Sequence, residues 1–229
     1  MAFTSLRSRP VVLDASSEAK VYGLFALALA LTALGVFLGL TYARVLVGSG
    51  VQIVFLIAEL ILIFTSGMWM RTAPLNSILF AVFPLLSGIT VSPYILYVLA
   101  GYVNGASILL NASLATIFMA AGSAVFAATT KADLSGMGRV LLMGLIGLIV
   151  IALLQIFVPS LRTGGAEILI SGVGVVLFAA FTAYDVQRVQ TLGRLGANPF
   201  LLALSLYLDI FNLFLYILRF MLALSGNRR

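Results

Sequence analysis

The sequence predicts an all-α membrane protein, a bundle of seven transmembrane helices, and three observations predict it. Hydrophobic residues make up 62% of the 229 and charged residues only 9%, whereas a soluble domain carries about a quarter charged. Mean hydropathy is +1.20, so the chain cannot cover itself with polar surface and lipid must be its solvent. Finally, apolar runs long enough to cross a bilayer, roughly 20 residues each, recur at 21–43, 51–70, 76–97, 105–129, 139–158, 166–187 and 200–222. The links between them are short, leaving no room for a soluble domain.

Residues 1–20, with Arg7, Arg9 and Lys20, read as a polar N-terminal tail. The apolar stretch after it exceeds the roughly 7–15 residues of a cleaved signal, so it is expected to stay as the first span. That span carries Gly35-Val36-Phe37-Leu38-Gly39, a spacing that lets backbones approach closely, inside one bundle or between two copies. In the second span Gln52, Glu59 and Ser66 recur every seven residues and share a face, which turns the acid inward. The third contains Pro84, Gly88 and Pro93. Each proline removes a helix hydrogen bond and predicts a kink or break.

Small residues at Gly136, Gly138, Gly144 and Gly147 mark the fifth span. The sixth lines up Ser171, Gly174, Phe178, Thr182, Asp185 and Arg188 at helical spacing, and the seventh does the same with Ser205, Asp209, Asn212, Tyr216 and Arg219. Residues 225–229 form a basic tail, so 21–224 is one transmembrane domain.

With the N-terminus inside, the cytoplasmic side receives Arg7, Arg9, Lys20, Arg71, Lys131, Arg139, Arg188 and Arg194. The outer side receives Arg44, Arg162, Arg219, Arg228 and Arg229. The excess of basic residues inside favours this orientation. The tail would prefer the inside, which a re-entrant seventh segment would allow.

Cysteine and histidine are both absent. Disulfides, thiolate or imidazole metal sites, Cys or Ser–His nucleophiles and histidine pH switches are therefore excluded. Any metal must be a hard cation held by oxygen, and no tightly bound cofactor is expected. The net charge of +6 is scattered through short loops, which suits anionic lipid headgroups and not nucleic acid.

Asp209 sits near the middle of the apolar run 200–224. A carboxylate there costs roughly 2.5–3.5 kcal/mol on insertion scales unless it faces protein or water. Asp185 lies 24 residues earlier, at the end of the sixth span. If the two meet in a low-dielectric site, both cannot stay ionised and they titrate as a unit. Sharing a proton holds the helices together, while ionising both repels them and admits water or a cation. The pair is thus a candidate pH-dependent gate, with Asp185 and Asp209 as candidate calcium ligands and Glu59 in support. Arg71, on the same side as Asp185, reads either as a latch on that acid or as an ordinary positive-inside arginine.

Ala183-Tyr184-Asp185-Val186-Gln187 and the segment Ala203-Leu204-Ser205-Leu206-Tyr207-Leu208-Asp209-Ile210-Phe211-Asn212-Leu213-Phe214-Leu215 closely resemble the Bax inhibitor family, the transmembrane Bax-inhibitor-motif proteins. Gly88-Ile89-Thr90-Val91-Ser92-Pro93 is similar to the family's third-helix pattern, and the hydropathy layout agrees over roughly residues 20–225. The resemblance implies a seven-helix bundle with the last helix at its centre, acting as a pH-sensitive calcium leak channel. It implies Asp185 and Asp209 as the aspartate pair, Arg71 as the latch, and Tyr184, Ser205 and Asn212 as supporting motif residues. Val186 departs from the family's usual threonine.

Other functions remain open. A proton-coupled cation transporter would use the same acids, and a non-catalytic regulator of other membrane proteins would use them to knit the bundle. An intramembrane aspartyl protease would need a Gly-x-Gly-Asp motif, but Leu206-Tyr207-Leu208 precedes Asp209, so no enzyme activity is expected. A retinal-type protein is excluded because the last span has no lysine. The expected setting is a bacterial inner membrane with a cytoplasmic N-terminus, as a monomer or weak homo-oligomer whose protein partners are open.

Overall fold

The computed structural model describes residues 15–46 and 49–225. Arg7, Arg9, Arg228 and Arg229, and with them most of the two expected tails, lie outside the described residues, as does the side chain of Arg194. The helices are α1 (Ala15–Thr41), α2 (Ala43–Leu46), α3 (Val51–Phe64), α4 (Ser66–Trp69), α5 (Leu75–Gly101), α6 (Gly105–Thr129), α7 (Gly138–Phe157), α8 (Gly164–Arg194) and α9 (Pro199–Leu224). Short 3-10 turns, Leu134–Met137 and Pro159–Arg162, precede α7 and α8. Among the described residues there is no strand. Helix α1 begins at Ala15, so the end of the stretch expected as a tail is already helical.

Six of these helices are long and apolar enough to cross a membrane. The expected second span is the exception, because α3 has only 14 residues. Both the N–H and the hydroxyl of Thr65 bond to the Ile61 carbonyl, at 2.9 and 2.6 Å. That turn ends α3 and frees the Leu62 carbonyl, which the Trp69 indole N–H takes at 3.0 Å.

The expected break in the third span does not occur: α5 runs unbroken through Pro84 and Pro93. Pro93 has no N–H for the Ile89 carbonyl, and the Ser92 hydroxyl bonds to that carbonyl at 2.8 Å. The neighbouring Thr90 carbonyl accepts from Gln52 Nε2 at 3.1 Å. With these substitutes the prolines are accommodated.

Helices α1 and α5 run parallel with their backbones in contact. A Cβ on Gly35 would lie 2.2 Å from the Leu85 carbonyl, and one on Gly88 would lie 2.2 Å from the Thr32 carbonyl. Gly39 meets Ser92 in the same way. The Gly35–Gly39 face is therefore spent inside the bundle. Because α1 and α5 are parallel, 42–74 must run back along their length, with Gln52 and Glu59 beside Thr90 and Trp69 packed with Phe80.

Helix α8 ends where Gly196, at φ 79°, adopts a conformation that side chains disfavour. The Ala197 N–H then bonds back to the Leu192 carbonyl at 3.0 Å. Asn198 starts α9, its side-chain oxygen accepting from the Phe200 and Leu201 N–H groups and its amide donating to the Met70 carbonyl at 2.7 Å. From there α9 runs antiparallel to α8 as one unbroken helix, so no re-entrant segment forms. It packs against α1, α5, α6 and α8 and is the most enclosed of the six long helices. Residues such as Phe37, Phe64, Phe118, Met143 and Phe157 face outward, as lipid contact requires.

Candidate functional site

The helical stripes of α8 and α9 meet near the start of α9. Asp185 and Asp209 are both buried, 3% and 6% exposed, and their carboxyl groups stand within side-chain hydrogen-bonding reach of one another. The Ser205 hydroxyl donates to Asp185 Oδ2. Arg188, one turn after Asp185, places Nη1 3.4 Å from Asp185 Oδ1. Asp185 is thus supplied by a hydroxyl and a cation. Asp209 is not: among the described residues its Oδ2 is buried without a hydrogen-bond partner.

Two carboxylates have no proton to place between them, so full ionisation leaves a buried acceptor without a donor. One shared proton supplies that donor. Removing it leaves two negative charges facing a single guanidinium, an arrangement that costs more than the singly protonated pair. A cavity of about 300 Å³, lined by Asp133, Tyr184, Gln187, Arg188 and Thr191 among others, opens beside Arg188 at this end of the α8–α9 seam. The backbone N–H and hydroxyl of Ser135 hold the exposed Asp133 carboxyl below its ordinary range, so the mouth of the cavity carries a fixed negative charge. Gln187 braces that mouth, accepting the Leu134 N–H at 2.8 Å and donating to the Ala132 carbonyl at 3.0 Å.

Of the residues expected to act together, the structure joins Asp185, Asp209 and Ser205. Arg71 is exposed and makes no ion pair among the described residues; the guanidinium on Asp185 belongs to Arg188 instead. The reason is reach. Arg188 lies on Asp185's own helix face, whereas Arg71 lies beyond the α4 turn. Tyr184 turns away and packs its hydroxyl over Gly138 of α7. Asn212 bonds back to the Leu208 carbonyl at 2.8 Å. Val186 faces an apolar cluster with Ala127, Leu134 and Leu206, so the missing hydroxyl leaves no partner unmatched.

Glu59 points inward but lies outside the aspartate site. Its donor is Thr90, whose Oγ1 bonds to Glu59 Oε1 at 2.9 Å. Ser87 lies beside both Glu59 and Tyr207, and the Tyr207 hydroxyl meets Thr32 Oγ1 at 2.8 Å. This polar chain links α3, α5, α9 and α1. Among the described residues no three acids gather to form a closed metal cage.

Comparison with known proteins identifies the family. A family model described as "Inhibitor of apoptosis-promoting Bax1" matches residues 15–227. The inner membrane protein YbhL of Escherichia coli is 31% identical over 227 residues, covering 92% of this chain and 91% of YbhL. A protein of Campylobacter jejuni is 33% identical over 210 residues, 91% of this chain and 88% of its own. A protein of Borreliella burgdorferi is 36% identical over 159 residues, 66% of this chain and 63% of its own. The family match spans almost every described residue, both helices of the acid pair included, and the chain belongs to the Bax inhibitor-1 family of membrane proteins.

Proposed function

We propose that this protein is a pH-sensitive cation leak channel of a bacterial inner membrane, with calcium as the conducted ion, gated by Asp185 and Asp209. One observation carries the reading: Asp209 Oδ2 is a buried oxygen with no donor, and it lies beside a second acid. Calcium fits because it is a hard ion that takes oxygen ligands, and the two carboxyls and Ser205 Oγ gather oxygens at one point of the seam. The family resemblance points the same way, and the printed description of YbhL supports the inner membrane.

In this reading 51–70 counts as a seventh crossing, since the parallel α1 and α5 require the chain to return between them. The end bearing Arg71, Lys131, Arg139 and Arg188 faces the cytoplasm by the excess of basic residues. Arg188 takes the role of latch and holds Asp185 while the pair keeps its proton. As pH rises and the proton leaves, repulsion parts α8 from α9 and leak increases.

The test is calcium flux into proteoliposomes between mildly acidic and neutral-to-alkaline pH. Wild type should leak more as pH rises, Asp209→Asn and Asp185→Asn should flatten the profile, and Arg188→Ala should raise the resting leak more than Arg71→Ala does. A wild-type profile in either Asn variant would refute the gate. Uptake against a gradient that a protonophore abolishes would identify a proton-coupled transporter instead.

A further inference from the structure

The far end of the α8–α9 seam carries a second charged cluster that the aspartate gate does not use. Glu167, in the first turn of α8, takes Arg219 of α9 at two points, Nε to Oε1 at 2.8 Å and Nη2 to Oε2 at 3.0 Å. Gln155 of α7 completes the set. Its Oε1 accepts from Arg219 Nη2 at 3.0 Å, and its Nε2 donates to Glu167 Oε2 at 3.0 Å and to the Leu161 carbonyl at 2.8 Å. Arg162 Nε donates to the Gln155 carbonyl. The Arg219 guanidinium lies 5.3 Å over the Tyr216 ring, which stacks on Phe178 at 5.5 Å. Tyr216 fits there because α8 has glycine at Gly174, where a Cβ would lie 2.1 Å from the ring.

This network is not enclosed by apolar packing. It faces a cavity of about 710 Å³ at the C-terminal end of α9, also lined by Tyr94, Tyr97 and Thr163. Beneath it the α9 stripe continues through Tyr216 and Asn212 to Asp209, ten residues and about 15 Å away along the helix.

We propose that Glu167, Arg219 and Gln155 form the second closure of the pathway, a charged plug on the floor of an outer vestibule. This rests on the cation-pathway reading above. A guanidinium fixed on the floor repels an arriving cation, and its ion pair with both Glu167 oxygens neutralises the charge that would attract one. When Arg219 leaves, the same Glu167 and Gln155 oxygens become ligands that draw a hard cation inward. The plug therefore opens by separating Arg219 from Glu167, at the opposite end of the seam from the aspartate pair.

The absence of cysteine makes each introduced thiol a specific reporter. In sealed vesicles of the full chain, a membrane-impermeant thiol reagent is applied to the face bearing the end of α9. Thr163→Cys, exposed in the vestibule wall, should label quickly in every background and reports that the reagent reaches the vestibule. Ser171→Cys, fully buried one turn beneath Glu167, should resist labelling while the plug is whole.

Adding Arg219→Met or Glu167→Gln should speed labelling of Ser171→Cys about tenfold, the factor equivalent to about 1.4 kcal/mol and the scale of one charge-assisted contact. Arg219→Lys should retain most of the protection. Calcium flux should rise in Arg219→Met and fall in Glu167→Gln, which leaves an unpaired cation at the mouth. Equal labelling with and without the plug would overturn the proposal, as would rapid labelling of Ser171→Cys alone. Labelling reads the plug whether or not calcium passes. Absent flux in every background would count against the pathway reading instead.

Discussion

Helices α1 and α5 are held together by the absence of side chains, and helices α8 and α9 by the presence of charged ones. At Gly35 and Gly88 the α1–α5 backbones touch directly and Gly39 meets Ser92, with no group that ionises at these contacts. The α8–α9 seam has Asp185 against Asp209 and Ser205 near one end and Glu167 against Arg219 at the other. A contact made by backbone alone is a fixed frame. In the proposed gate, a contact whose sign depends on a proton supplies the two arrangements that a moving part requires.

The sharpest way to break the contrast is to add volume to the frame. Gly88→Leu should destabilise by about 3 kcal/mol or prevent folding, because the new side chain meets the Thr32 carbonyl and Gly35 and neither can give way. Thermal unfolding in detergent measures it, and a small loss would mean that the frame yields. The moving seam should respond in the opposite direction. Asp209→Asn supplies a donor where the carboxylate lacks one and should stabilise by about 1–2 kcal/mol at alkaline pH. The gain should shrink on acidification, as the native pair acquires its own proton. Smallest is the link between the two seams: Tyr207→Phe removes the bond to Thr32 and should cost about 1 kcal/mol, with little change in the pH profile of flux.

The parts that could be read from the sequence are those encoded in local spacing. The stripes on α8 and α9 repeat with the helix, so Asp185, Ser205 and Asp209 could be placed on one seam before any coordinates. Four of the six long spans agree within four residues at both ends, while α1 starts six residues before its expected bound and α8 runs seven past its own. The shortness of α3 was hidden because Thr65 and Ser66 sit inside a run that averages as apolar. The bond of the Thr65 hydroxyl to the carbonyl four residues back recurs inside unbroken helices at Thr116 and Thr182, so the break shows instead in the Leu62 carbonyl turning to the Trp69 indole. Ion-pair partners were the hardest to read. Arg188 was visible three residues after Asp185, yet Arg71 matched it in side and charge, and only distance separates them. Glu167, Gln155 and Arg219 come from helix ends 52 and 64 residues apart, and no pattern in the chain joins them. The Thr32–Tyr207 bond spans 175 residues and depends on the packing of α1 against α9.

The brevity of α3 has a consequence for the surrounding lipid. Its 14 residues make about 21 Å of helix, against about 30 Å of hydrocarbon. The remaining depth is covered by a hydroxyl-bearing turn and the single turn of α4. A bilayer meets such a shortfall by thinning locally or by tilting its guest. This flank is therefore the low wall of the bundle. Acyl-chain length acts on it first, before it is felt by the longer helices on the other sides.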